Sequence, residues 1–283
     1  MSLRSPLHRA TARRLCVAAL ALLVPIGLVA SCSSDDDAAT TTTAAESTTT
    51  APATLTILVT NDDGVAAEGI DVLVTALKAM PDTDVVVSAP AENQSGSAGK
   101  TTPGELTATP TTMLGGTEAT AVSGFPADSV NWALDGGIPE TPQLVVSGIN
   151  SGQNIGSFVE LSGTVGAARA AASRGIPALA VSAGIDDAAG YEAAAALAVE
   201  WVEQHREAIL SGEMATTPAP VANINVPVCA TGTLRGLLEV PVSPEPPASL
   251  DPVDCAAAPP ATPTDDTGAI AGGWASLSDV SVG

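Results

Sequence analysis

The stretch Leu55-Thr-Ile-Leu-Val-Thr60, followed at once by Asn61-Asp62-Asp63-Gly64, decides the fold. Six aliphatic and β-branched residues suit a short strand, and Asn-Asp-Asp-Gly is turn chemistry. Beyond the turn, Ile70, Leu73, Val74 and Leu77 fall at helical spacing, so the strand feeds a helix. The alternation then repeats. Asp84–Ala89 reads as a second apolar strand stopped by Pro90. Further strands are expected at Ala119–Ser123, Gln143–Ser147, Ala178–Ser182, Ala222–Val226 and Leu237–Val240. Helices are expected near Asp128–Leu134, Thr164–Ser173 and Tyr191–Leu210. Strands that are almost wholly apolar and alternate with helices predict an α/β fold, doubly wound, its mostly parallel sheet covered by helices on both faces. This domain is expected to span residues 55–283.

Composition agrees with a packed domain and excludes several functions. Of 283 residues, 45% are hydrophobic, which is too many for a disordered chain and enough for a sizeable core. Aromatics are only 2%, so that core must be built from Ala, Val, Leu and Ile. With 31 acidic residues against 10 basic ones, the net charge is -21, and phosphate neutralisation along a nucleic-acid polymer is excluded as a binding mode. There are two histidines, His8 and His205. The second lies on the stripe Tyr191, Ala195, Ala198, Val202, His205, Ile209 and reads as a packed helix-face residue, which leaves no Ser-His-Asp triad.

Residues 1–31 read as a lipoprotein signal peptide. Arg4, Arg9, Arg13 and Arg14 precede the apolar run Leu15–Leu28, which is short for a membrane span. Val29-Ala30-Ser31-Cys32 then matches a lipobox, with Cys32 acylated; an ordinary cleaved signal is the alternative. Cleavage removes four Arg and no acid, leaving 6 basic residues against 31 acidic ones, a net charge of -25. Residues 32–54 are rich in Ser, Thr, Ala and Asp and read as a flexible stalk. The expected location is extracytoplasmic, anchored to the cell membrane by the N-terminal lipid alone. Cys229 and Cys255 remain, and export favours a disulfide between them over free thiols.

In doubly wound sheets ligands bind beyond the carboxyl ends of the strands. Asp62 and Asp63 follow the first strand, Asn93 and Ser95 the second, and Ser147, Asn150 and Asn154 belong to the Gln143 strand and its loop. Carboxylate, hydroxyl and amide oxygens form a hard ligand set suited to Mg²⁺, Mn²⁺ or Ca²⁺. A cation would also relieve the repulsion between adjacent acids, although Asn-Asp-Asp-Gly serves equally as a plain turn. Ser162-Gly163-Thr164 precedes an Ala-rich helix and reads either as a simple N-cap or as an anion cradle. Gly99-Lys100-Thr101 resembles the end of a phosphate-binding P-loop, but that motif's first glycine falls on Gln94. No Asp-x-Asp follows the first strand, which disfavours an aspartyl-phosphate phosphatase.

Together these loops resemble the SurE (survival protein E) family of 5′/3′-nucleotidases. The resemblance is carried by Ile57–Val65, Ala89–Gly96, Gly124–Asp128, Val145–Gly156, Ser162–Ala168, Gly175–Ser182 and Asn223–Pro227, in that order. It implies a divalent-metal-dependent phosphomonoesterase acting on nucleoside monophosphates. The implied metal ligands are Asp62, Asp63, Ser95 and Asn150, with Asp62 or Asp63 as catalytic base. The implied phosphate contacts are Asn61, Asn154, Ser162, Gly163 and Thr164. Glu160 and Leu161 stand where the family commonly carries an aromatic residue. Pro241–Pro263 reads as a short irregular C-terminal arm, and its shortness puts in question the homodimer that arm exchange builds in the family. The alternative function is a non-catalytic surface lipoprotein that binds nucleotides or other phosphorylated ligands.

Overall fold

A computed structural model describes residues 53–185, 187–259 and 261–283. The expected signal peptide, Cys32 and nearly all of the stalk lie outside the described residues. Among these residues no helix is long and apolar enough to cross a membrane.

The chain forms β1 (Leu55–Thr60), α1 (Glu68–Lys78), β2 (Thr83–Pro90), β3 (Ala108–Thr112), β4 (Glu118–Val122) and α2 (Pro126–Trp132). It continues through β5 (Leu144–Ser151), α3 (Gly163–Ser173), β6 (Ala178–Ala183), α4 (Ala188–Leu210) and β7 (Val221–Asn225). The last elements are β8 (Cys229–Thr231), β9 (Leu237–Glu239), β10 (Val253–Asp254), α5 (Asp266–Ala271) and β11 (Ala275–Asp279). The main sheet runs β3-β4-β2-β1-β5-β6-β7-β11-β9. Its centre, from β4 to β7, is wholly parallel, while β3 and β11 pair antiparallel with β4 and β7. This is the expected doubly wound α/β architecture.

Every residue of β1 is buried because the strand is covered on both faces. Leu55, Ile57 and Val59 pack in one core with Ile70, Leu73 and Leu77 of α1 and Tyr191, Ala198 and Trp201 of α4. On the opposite face Leu58 and Val145 meet Val130 of α2 and Val165, Ala168 and Ala172 of α3. Each such aliphatic side chain contributes about 1.5–3 kcal/mol by leaving water. The small residues of α3 allow a close approach, and a Cβ on Gly166 would lie 2.1 Å from the Ala98 carbonyl oxygen. His205 stacks on Trp201 with ring centroids 4.2 Å apart, and its Nδ1 lies 2.8 Å from the Trp201 carbonyl oxygen.

The C-terminal arm differs from its expectation at its end. Residues 241–264 are largely irregular, tied by parallel pairing of β10 with β8 and by a disulfide between Cys229 and Cys255. The chain then returns to the sheet as α5 and β11, which sequence patterning did not separate from loop. Buried Asp266 joins the arm to the domain. Its carboxylate accepts N–H groups from Gly156 (2.9 Å), Ser243 (2.9 Å) and Thr267 (2.8 Å). Burial pushes its pKa up, and these donors counteract that.

Candidate active site

The loop after β1 is held by its own side chains. Asn61 Nδ2 donates to the Gly64 carbonyl at 2.9 Å, and the Gly64 N–H donates back to Asn61 Oδ1 at 3.2 Å. Gly64 has φ 100°, and a Cβ there would also stand 3.1 Å from the Glu92 carbonyl carbon. A glycine is needed on both counts.

The two carboxylates that this turn presents have different surroundings. Asp62 is 3% exposed, and its Oδ1 accepts the Thr164 hydroxyl at 2.6 Å. Burial pushes its pKa up to about 6; the Thr164 hydrogen bond opposes this and the Asp63 charge adds to it. Asp63 is half-buried and clamped from two sides. Asn93 Nδ2 donates to its Oδ1 at 3.2 Å, and the Ser151 N–H donates to its Oδ2 at 2.9 Å. Three carboxyl-end loops thus converge on this pair, and the Gln94 N–H adds a further tie to the Asp62 carbonyl at 2.7 Å.

Ser95 lies exposed in the second loop, its N–H donating to Asn93 Oδ1 at 2.9 Å. Asn150 is buried at the end of β5, after a cis peptide between Gly148 and Ile149. Its Nδ2 donates to the Gly152 carbonyl at 2.5 Å, which leaves Oδ1 as the atom suited to a cation. Among the described residues no three His, Cys, Asp or Glu side chains gather in a metal-binding group. A cation held here would therefore use two carboxylates and complete its shell with neutral oxygens. The donor chemistry fits a hard divalent ion, and the buried, mutually repelling Asp pair gives it an electrostatic reason to bind.

The expected phosphate contacts lie in the loops after β1 and β5 and at the start of α3. Ser162 caps α3, its Oγ accepting from the Val165 N–H at 3.1 Å, and its hydroxyl proton remains to donate. Thr164 is fully buried with its hydroxyl spent on Asp62. A Cβ on Gly163 would lie 2.8 Å from Asp62 Cβ and 2.9 Å from Asp62 Oδ2. The positive end of the α3 dipole therefore faces the Asp62 carboxylate, and the anion it holds in this structure is the protein's own. Asn61 is committed to its turn. Asn154 Nδ2 donates to Ser182 Oγ at 2.9 Å, while its backbone bonds the side chains of Asn223 and Asn225. Asn61, Asn154 and Thr164, three of the expected phosphate contacts, thus each hydrogen-bond within the protein.

The sequence places Asn93 at this end of the sheet without assigning it a role, and gives no sign of Ser151 or Ser97. Asn93 clamps Asp63, and its place two residues before Ser95 suits an Asx turn, which was the available signal. The Ser151 clamp acts through its backbone and leaves no trace in residue type. Ser97 is 4% exposed with no hydrogen-bond partner for its Oγ among the described residues, and that oxygen lies 2.8 Å from the Gly163 Cβ position.

A doubly wound, largely parallel sheet that presents paired acids and neutral oxygens at the carboxyl end of its central strands defines an α/β protein with an acidic, oxygen-lined crevice. Residues 57–243 match the family described as Survival protein SurE, and the chain belongs to that family. It is 40% identical over 183 residues to a Sorangium cellulosum protein named 5'-nucleotidase SurE, covering 63% of this chain and 67% of that one. A Coxiella burnetii (strain Dugway 5J108-111) protein of the same name is 37% identical over 185 residues, covering 64% and 66% respectively. The matched segment thus spans about two thirds of these relatives' length. The crystal structure of the SurE protein from Aquifex aeolicus superposes with a TM-score of 0.63 at 25% identity, covering 81% of this chain and 94% of that chain.

Proposed function

We propose that this protein is a divalent-metal-dependent phosphomonoesterase that hydrolyses nucleoside monophosphates to nucleoside and phosphate, a 5′/3′-nucleotidase. The supporting observation is the pair of unlike carboxylates, Asp62 buried against α3 and Asp63 clamped by Asn93 and Ser151. Asp62, Asp63, Ser95 and Asn150 would hold the cation, Mg²⁺ or Mn²⁺ in preference to Ca²⁺. When bound, that ion supplies charge neutralisation at the phosphoryl group and acidifies a water.

The residues do the rest. Thr164 and the α3 N-terminus keep Asp62 oriented, and Asn93 and Ser151 hold Asp63 in a single rotamer. The attacking water gives its proton to this Asp pair as the new P–O bond forms. The Asp pair then returns that proton to the nucleoside oxygen as its bond to phosphorus breaks. Ser162 and Gly163, at the helix start, remain the phosphate contacts of the expected set best placed to bind equatorial oxygens. The extracytoplasmic, lipid-anchored location rests on residues 1–54 alone, and Cys32→Ser is expected to release the protein from the membrane fraction.

The test is phosphate release from a panel of 5′ and 3′ mononucleotides and simple phosphomonoesters, with Mg²⁺, Mn²⁺, Ca²⁺ or chelator. Release from mononucleotides that chelator abolishes is expected. No release with any cation would refute the reading.

A further inference from the structure

The loops after β2 and β4 line a cavity of about 390 Å³. Its wall includes Glu92, Gln94, Thr102, Ser123 and Phe125. Two of these touch the first loop: the Gln94 backbone bonds the Asp62 carbonyl, and Glu92 backs directly onto Gly64. Asn93, between Glu92 and Gln94, donates to Asp63 Oδ1 at 3.2 Å, so the loop that lines the cavity also touches the carboxylate pair. Its rim is rigid on the far side. The Asp128 carboxylate accepts the N–H groups of Thr102 and Phe125 and the Thr102 hydroxyl, the last at 2.7 Å. A Cβ on Gly124 would lie 2.6 Å from that carboxylate, so only glycine lets the loop close there.

We propose that this cavity is the nucleobase subsite, with Phe125 as the stacking surface and Glu92 and Gln94 as readers of the base edge; this rests on the nucleotidase reading. The volume suits a small ligand, and the composition, one ring beside a few polar groups, suits a flat heterocycle. Elsewhere at the mouth an aromatic is missing: Leu161, next to Ser162, is 61% exposed and offers an aliphatic surface only. Glu92 also sets a direction of preference. Its carboxylate accepts from exocyclic amino groups and repels carbonyl edges, so adenine, which has an amino group and no carbonyl, is favoured over uracil.

The experiment compares kcat/KM of the metal-loaded full chain for AMP, UMP and glycerol phosphate, in wild type, Phe125→Ala and Glu92→Gln. Phe125→Ala is expected to lower the value for AMP about tenfold, as loss of a stacking ring does, and that for glycerol phosphate less than about threefold. Wild type is expected to favour AMP over UMP, and Glu92→Gln to narrow that ratio. Equal losses on AMP and glycerol phosphate, or no loss on AMP, would overturn the proposal. Because Phe125 precedes α2, Phe125→Leu serves as a second variant, expected to melt like wild type and still to lose AMP selectivity; retained selectivity counts against the ring. Calorimetry with adenosine separates the two readings. Adenosine binding lost in Phe125→Ala supports the subsite even if no phosphate is released, and no adenosine binding by wild type sinks it even if nucleotides are hydrolysed.

Discussion

The loop after β1 and the arm between β9 and α5 both largely lack regular structure, and they are secured in opposite ways. The loop is buried and satisfied by short-range bonds converging from three strands' ends, so each of its polar atoms has an assigned direction. The arm is mostly exposed and is held at a few points: the disulfide, a two-residue pairing and Asp266. A loop that must aim carboxylates needs orientation, and it accepts a cost for burying charge. An arm that covers the sheet's end needs only tethers, and these contribute stability with little bearing on chemistry. Substitution in the loop should therefore remove activity and spare stability, and substitution in the arm should do the reverse.

The largest effect is expected from Asp62→Asn. It keeps an acceptor for Thr164 and removes the charge, so kcat/KM for mononucleotides should fall about 10³-fold or more. In chelator at pH 7 the variant should nevertheless melt higher than wild type, because a buried, uncompensated carboxylate is gone. A variant that loses activity and also melts lower would contradict the division of labour between loop and arm. The arm's counterpart is Cys229→Ser with Cys255→Ser. Closing a loop across a sequence separation of 26 residues restricts the unfolded chain by about 3.5 kcal/mol. Urea denaturation should show a loss near that value while the kcat/KM of the metal-loaded double variant stays within about twofold.

Proton linkage offers a third measurement, confined to the loop. Without metal the folded Asp62 carboxyl titrates near pH 6, against 3.8 as the unperturbed value. The folded state binds this proton more tightly than the unfolded state does. Its contribution is thus fully present below pH 4 and is lost as the pH rises through 6, on the order of 3 kcal/mol. Unfolding free energies of wild type minus Asp62→Asn, measured in chelator from pH 4 to pH 7, should fall along that curve. A flat difference would mean that the carboxyl is not desolvated.

Much of this arrangement was legible in the residues. The apolar β1 followed by Asn61–Gly64, and the helical spacing of Ile70 to Leu77, placed the central strand, its helix and the two acids correctly. Four strands, β3, β8, β10 and β11, have no counterpart in the sequence reading, and the two of them in the main sheet escape it for identifiable reasons. β3 carries Pro110, tolerated because the strand lies at the sheet edge, and β11 buries Ser276 and Ser278 where patterning reads loop. The pairing of Thr164 with Asp62 joins residues 102 apart and depends on α3 packing against β5 and β6, which no local pattern encodes. For that reason the contact between the start of α3 and Asp62 is not legible in the sequence.

The smallest effect falls where loop and arm meet. Asp266 belongs to the arm, yet one of its three donors is Gly156, two residues after Asn154. Asp266→Asn keeps the shape but replaces one acceptor oxygen by an amine that must face an N–H, leaving at least one buried donor unpaired. A loss of about 1–3 kcal/mol is expected in urea denaturation. If Asp266 only tethers the arm, kcat/KM should change less than about threefold and the AMP to glycerol phosphate ratio should not move. If it also fixes the Asn154 loop, that ratio would stay constant while kcat falls for both substrates alike. Measuring both quantities on one variant decides whether the tether ends at the arm or reaches the site.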